Sequence, residues 1–212
     1  VTCDTMRNTE SFSLLTHQKI VRDYMNLYTP YRGLLLYHGL GAGKSCASIA
    51  IAEGMKSKRQ VIVMTPKSLR ENYIEELKKC GDFMYKKKQF WEWISDPEVF
   101  ETLSSALSLP IEYIRRKKGA WLMDVAKEPN SLSSVDMKSL DDQLNEMIFT
   151  KYKFIPYNGL RPNRLKELSD NYETNPFDNK VVIIDEAHNF ISRIVNRIDK
   201  ERPIAVDNRG EK

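Results

Sequence analysis

The chain has 212 residues, 41% of them hydrophobic, with a formal net charge of +4 and three cysteines. That length and composition suit one sizeable globular core and exclude a disordered chain; no apolar run approaches the ~18–20 residues of a membrane-spanning helix, and the polar start VTCDTMRNTE lacks the apolar core of a secretion signal. The mild positive charge is compatible with a nucleic-acid partner without arguing for one, and Cys3, Cys46 and Cys80 show neither paired nor metal-type spacing, so they are expected as reduced thiols in an intracellular protein.

In chain order, the first strong signal is Leu34, Leu35, Leu36 and Tyr37. This continuous apolar run predicts a strand buried on both faces of a parallel sheet. HGLGAGKS follows, and then SCASIAIAEGMK, which predicts a helix packed closely on that sheet. Strand, glycine-rich turn and helix in that order are the setting of a phosphate-binding loop. The strict pattern places a glycine where this chain has His38, but no role in the loop requires one there. Gly39, Gly41, Ala42 and Gly43 shape a hollow lined by backbone N–H groups. The helix start at Ser45 and Cys46 adds its partial positive charge. Lys44 would place its ammonium on the β- and γ-phosphates of ATP, and Ser45 its hydroxyl on Mg²⁺. The structural alternative is a glycine-rich turn beside a surface lysine.

VIVMTPKSLRENYIEEL reads as a strand, then Thr65, Pro66 and Lys67, then a helix. The 141 residues from Lys44 to Asp185 exceed what a minimal lobe needs, so an insertion is expected at about 81–142. It mixes helical stretches with a strand around 119–125, and EPNSLSSVDMKSLDD reads as a loop opening a helix. Two basic clusters, Lys86–Lys88 and Arg115–Lys118, lie within it beside Phe90, Trp91 and Trp93. A nucleic-acid surface is one reading, and a solvated charged face beside core aromatics is the preferred one. NEMIFTKYKFIPYNGL returns to a strand, and RPNRLKELSDNYETNPFDN to a helix and a turn.

Val181 to Ile184 form a β-branched apolar strand, with Asp185 and Glu186 at its C-terminal end. Ligands of open α/β sheets bind at that edge, which the phosphate loop shares. Asp185 would hold Mg²⁺, and Glu186 would orient and deprotonate the attacking water. Capping of the following helix is the alternative for this pair of acids. His17, His38 and His188 have no partner at metal-ligand spacing, so zinc is not expected.

Asp185-Glu186-Ala187-His188 resembles the second motif of superfamily 2 helicases, the DEAH box. LTHQKIVRDYM and TPKSL are similar to two more of its motifs. The resemblance implies that Gln18 reads the adenine edge, that Thr65, Pro66 and Lys67 contact a nucleic-acid backbone without base specificity, and that His188 couples the ATP site to a second lobe. LLLYHGLGAGKSCASI, KYKFIPYNGL and NPFDNKVVIIDEAHNFISRIVNRI are similar to helicases of nucleocytoplasmic large DNA viruses, the type related to the poxvirus early-transcription-factor ATPase and nucleoside triphosphatase. The sequence ends 24 residues after His188, and no segment resembles the next family motif. The chain is therefore expected to be the N-terminal lobe of a longer protein, with the second RecA-like lobe outside it.

The expected fold is a RecA-like P-loop lobe over residues 1–212, a mainly parallel sheet flanked by helices, with a largely helical insertion. The expected function is the ATP- and Mg²⁺-binding lobe of a nucleic-acid-dependent ATPase, with DNA favoured over RNA. It would work in viral transcription beside a viral RNA polymerase, in the virion or the host-cell cytoplasm and not in a membrane. The competing reading is an ATP-gated module that recruits transcription or packaging proteins without translocating.

Overall fold

The computed structural model describes residues 13–39 and 41–201. Cys3 and the polar tail beyond Glu201 lie outside the described residues. In chain order the elements are α1 (Thr16–Tyr24), α2 (Lys44–Met55), β1 (Val61–Thr65), α3 (Arg70–Cys80), β2 (Phe90–Ile94), α4 (Phe100–Leu107) and α5 (Ile111–Lys117). They continue with β3 (Ala120–Asp124), α6 (Ser134–Lys151), β4 (Tyr152–Pro156), α7 (Pro162–Leu168), β5 (Val181–Ile184) and α8 (Ala187–Glu201). Three strands form a parallel sheet in the order β4-β1-β5, with Val61 opposite both Tyr152 and Val181. β2 and β3 pair antiparallel as a second, two-stranded sheet. The lobe is mixed α/β, a parallel sheet flanked by helices, as its sequence predicts.

β1 has a neighbour on each side, and all five of its residues are buried, which is why it reads as an unbroken apolar run. Its alternating side chains feed two cores. Val61 and Val63 join Ile49 and Ala52 of α2, Ile74 and Leu77 of α3, and Leu140, Leu144 and Ile148 of α6. On the opposite face Ile62 and Met64 meet Ile155 and Tyr157, with Phe190 of α8 packed against them. Ala47, Ala50 and Ala52 of α2 are all buried. Their small volume lets that helix, and the loop at its start, lie close to the sheet.

The insertion extends the large core rather than standing beside it. Trp91, Leu103, Leu107, Ile114 and Trp121 belong to the same buried cluster as α2 and β1. Phe90–Ile94 is a strand that the sequence reading did not anticipate. Its aromatic residues suit a half-buried pleated surface, and the Asn130 side chain brackets Trp91, accepting from its N–H at 2.9 Å and donating to its C=O at 2.8 Å. α6 runs on through 142, the expected end of the insertion, to Lys151. Within α6 the buried Gln143 makes the same double bond to Trp121, at 2.7 and 2.8 Å, and so completes the outer edge of β3. The basic clusters are partly neutralised on the spot, Lys87 by Asp141 at 2.5 Å, Arg115 by Glu101 at 3.2 Å and Lys117 by Asp142 at 3.6 Å.

Two expectations are corrected. Leu34–Tyr37 is not a strand, since residues 31–39 have no regular structure and, among the described residues, β5 is paired with β1 alone. The run is anchored elsewhere at its two ends. Tyr31 stacks on Tyr24 of α1 with centroids 4.1 Å apart, and the His38 and Gly39 carbonyls accept from Lys44. Leu35 and Tyr37 are left 75% and 93% exposed. An apolar run signals burial but does not name its hydrogen-bonding neighbour. The second correction concerns the cysteines. Cys46 and Cys80 are joined as a disulfide, because α2 and α3 pack side by side and bring together residues 34 positions apart. Spacing along the chain carries no trace of that contact.

Candidate functional site

The turn before α2 is built by two glycines in the left-handed region, Gly41 at φ 76° and Gly43 at φ 71°, which residues with a side chain rarely adopt. Gly43 has a second requirement. A Cβ there would lie 2.4 Å from Nε2 of Gln18. Gln18 is 2% exposed. It accepts from the Leu15 N–H at 2.9 Å and donates to the Gly43 carbonyl at 3.1 Å. His17 Nε2 is 2.9 Å from the Ala42 carbonyl oxygen. α1 thus braces the loop from beneath. Lys44 donates to the carbonyls of His38 at 3.1 Å and Gly39 at 3.2 Å, which leaves its ammonium at the loop, where phosphate oxygens would be stronger, charged acceptors.

The second half of the site comes from β5. Its register against β1 places Asp185 just past the strand end, where its N–H donates to the Met64 carbonyl at 2.9 Å. Glu186 follows at φ 50°, a strained conformation for a side-chain-bearing residue. Its carbonyl accepts from Tyr157 Oη at 3.3 Å, and its carboxylate lies 3.3 Å from His188 Nδ1. Burial and the neighbouring Glu186 charge push the Asp185 carboxyl above its usual range, against the opposing pull of the Thr65 hydroxyl and the Lys44 ammonium. A divalent cation would relieve both causes.

Ser45, Asp185 and Glu186 line one cavity of about 180 Å³, together with Leu69, Asn72, Tyr73 and Glu76. Its liganding atoms are hydroxyl and carboxylate oxygens, the donor set of Mg²⁺. A loop that only glycines can form, beside a helix N-terminus, is the matching seat for phosphate. The residues present therefore fit a Mg²⁺-nucleotide.

The structure brings the predicted loop and acid residues together from opposite ends of the sequence. It separates the predicted nucleic-acid contacts from one another. Thr65 is buried, 1% exposed and turned toward Asp185, whereas Lys67 is on the surface. The Gln18 amide is engaged at both ends within the protein, so reading an adenine edge would require it to release Leu15 and Gly43. Cys46 faces α3 through its sulfur. The residues that sequence reasoning missed are on α3 and the turn before it. Leu69, Asn72, Tyr73 and Glu76 recur at helical spacing along one face. That spacing was readable, but nothing in it says that the face turns toward a ligand. Tyr73 Oη is 2.9 Å from Ser48 Oγ, which donates to the Ser45 carbonyl at 2.8 Å, so α3 also steadies the first turn of α2.

Residues 11–206 match the family model described as the type III restriction enzyme, res subunit. The chain is 29% identical over 176 residues to a protein of Acanthamoeba polyphaga mimivirus named provisionally as an ATP-dependent RNA helicase, covering 82% of this chain and 24% of that protein. A second mimivirus protein with the same description is 30% identical over 201 residues, 84% of this chain and 15% of that one. A provisionally named helicase of invertebrate iridescent virus 3 is 24% identical over 190 residues, 83% of this chain and 15% of that one. The chain thus spans about a quarter of the first relative's length and less of the other two. No solved structure matches it.

Proposed function

Because this chain belongs to the family of the type III restriction enzyme res subunit, we propose that it is the ATP-binding, N-terminal lobe of a superfamily 2 nucleic-acid-dependent ATPase, a helicase or duplex translocase. The observation that carries the reading is the single cavity into which α2 delivers Ser45 and β5 delivers Asp185 and Glu186. In this reading Lys44 and the loop N–H groups bind the phosphates, and Ser45 and Asp185 hold Mg²⁺. The cation, when bound, neutralises charge on the β- and γ-phosphate oxygens. Glu186 orients the attacking water and takes its proton. His188, in contact with Glu186, transmits the state of that carboxylate toward a second lobe. Lys67, exposed beyond the end of β1, meets a nucleic-acid backbone.

The named relatives are several times longer than this chain. We assign a second RecA-like lobe, and the arginine that completes transition-state neutralisation, to the rest of the whole protein. An arginine finger is worth roughly 10³–10⁵ in rate, so these 212 residues should bind nucleotide and hydrolyse it slowly. Fast Mg²⁺-dependent turnover by the chain, abolished in Glu186→Gln, would overturn that part. The viral relatives support a viral protein; the DEAH-box type, and work with viral transcription proteins in the virion or the host cytoplasm, rest on the sequence resemblance alone.

The deciding experiment is equilibrium binding of a fluorescent ATP analogue with Mg²⁺. Saturable binding that falls about 100-fold in Lys44→Ala is expected, and equal binding by the two chains would sink the reading. RNA and DNA are then added to the full-length protein. Stimulation of ATP hydrolysis by RNA would agree with the names of the mimivirus relatives, and stimulation by DNA with the sequence reading. Stimulation by neither would favour the recruitment module.

A further inference from the structure

We propose that Cys46 and Cys80 are a reversible dithiol–disulfide site that gates the nucleotide cavity: the two thiols admit nucleotide, and the disulfide excludes it. The inference deepens the proposed function and rests on that reading of the cavity.

Cys46 is the third residue of α2, two positions after Lys44, and Cys80 is the last residue of α3. Their Cα atoms are 5.4 Å apart, within the ~4.4–6.8 Å that a disulfide spans without backbone movement. The bond can therefore open and close with the two helices in place. The cysteines are 7% and 8% exposed, but they do not lie far from solvent. Glu76 Oε2 is 3.5 Å from the Cys46 sulfur and 3.7 Å from the Cys80 sulfur, and Glu76 lines the cavity with Ser45, Asp185 and Glu186. Glu76 therefore links the pair to the cavity wall.

That position couples the bond to the ligand. One wall of the cavity is the first turn of α2, through Ser45. The opposite wall is α3 and the turn before it, through Leu69, Asn72, Tyr73 and Glu76. The disulfide staples these walls together just behind the cavity. The volume of about 180 Å³ is below the ~300 Å³ at which small-molecule sites begin. On this proposal the walls part to seat the terminal phosphate and its cation beside the loop, and a covalent tie between them opposes that movement. With free thiols the polar ties beside the cavity include the Tyr73–Ser48 and Cys46–Glu76 contacts, which can exchange for water.

The bond forms by exchange with a small disulfide of the glutathione type. One cysteine sulfur attacks the disulfide, makes a mixed disulfide and releases one small thiol. The other cysteine displaces the second small thiol and closes the Cys46–Cys80 bond. The two cysteines give up two electrons and two protons in total, and both protons leave on the released thiols. A small dithiol reductant reverses the process.

The chain is first stripped of bound metal with a chelator, incubated with oxidised glutathione or with dithiothreitol, and exchanged into chelator-free Mg²⁺ buffer before nucleotide binding is read. Peptide mass mapping and binding of the fluorescent ATP analogue are read on the same samples. The expected result is a linked Cys46–Cys80 peptide with binding weakened about tenfold or more, restored by dithiothreitol. Because linkage is reciprocal, saturating nucleotide should also lower the equilibrium fraction of linked peptide at a fixed ratio of oxidised to reduced glutathione. Cys80→Ser, with Cys80→Ala as a second variant, should bind like the reduced chain and ignore the oxidant. Equal affinity of the oxidised and reduced chains overturns the gate, as does failure of the linked peptide to form. The two sulfurs and the Glu76 carboxylate lie within 4.8 Å of one another, so a Zn²⁺ ion that copurifies and shields both thiols until it is chelated also overturns it. A linked peptide in a chain whose reduced form binds no nucleotide means that the nucleotide reading has failed and takes the gate with it. That outcome is distinct from a chain that binds equally in both states.

Discussion

Trp91 in the insertion is 2% exposed, and Tyr37 beside the phosphate loop is 93% exposed. The contrast extends beyond one pair. In the insertion Leu107, Ile114 and Trp121 are buried, and the nearby Lys78 is buried only with Glu75 and Asp141 beside it. Around the loop Leu35 is in solvent, Val182 and Ile184 are more than a third exposed, and a glutamine is buried instead. The insertion obeys the ordinary rule of apolar residues inside. The loop region breaks it because its backbone is shaped for a ligand and its apolar edge is left uncovered among the described residues. Much of the part that fills the large core is therefore not motif-bearing. The insertion's helices and its β2–β3 pair carry no motif, whereas the loop before α2 packs thinly although α2 itself gives Ile49 and Ala52 to the core.

The sharpest way to break this comparison is Trp91→Ala. Removing a fully buried indole from the large core should cost about 3–5 kcal/mol of unfolding free energy, read from a urea transition. It would also remove the bond from the Trp91 indole N–H to the Lys87 carbonyl. If the insertion were a dispensable appendage, the midpoint would barely move. Lys44→Ala is the converse. It should weaken Mg²⁺-nucleotide binding about 100-fold, near 2.7 kcal/mol, with an unfolding midpoint close to that of the parent, since the ammonium meets only two loop carbonyls. A Lys44→Ala protein that unfolds easily would show that the loop carries more of the fold than its burial suggests.

How much of each region could be read in the sequence follows the same division. The placing of Lys44 and Ser45 at the start of α2 and of Asp185 and Glu186 just past β5 was legible because phosphate and metal chemistry demands particular residue types at the ends of a strand and a helix. β1 was legible because a strand buried on both faces leaves an unbroken apolar run; β5 shows the same run although Val182 and Ile184 are more than a third exposed, and β4 was read from its apolar, aromatic residues around Lys153. The same signal failed at Leu34–Tyr37, where the run has no ladder partner among the described residues. β2 was missed because FWEWI, with Glu92 as its one charged residue, is too short to separate from a helix turn. The α3 wall of the cavity and the Cys46–Cys80 contact were not legible. Both arise from packing two helices side by side, and helical spacing gives the face of a helix without naming its neighbour.

The smallest effect tests how the two regions are joined. Asp141 of α6 accepts from Lys78 of α3 at 2.6 Å and pairs with Lys87 of the insertion at 2.5 Å. Burial alone would raise the Asp141 carboxyl, but hydrogen bonds from Lys78 and Lys87 outweigh it and hold the group below its ordinary 3.8. A carboxyl whose folded value lies below its unfolded one gives its full stabilisation above the unfolded value and loses it as pH falls through the folded value. Urea midpoints should therefore be flat with respect to this group at neutral pH and fall below about pH 4. Asp141→Asn should flatten that acid limb and lower the midpoint modestly at pH 7, because Lys78, 4% exposed at its side chain, would keep only Glu75 as a charged partner. Nucleotide affinity should not change. If it moved while the acid limb stayed, the Lys78–Asp141–Lys87 network would be holding the α3 wall of the cavity in place, and the line between the stabilising and the functional region would have to be drawn through α3 itself.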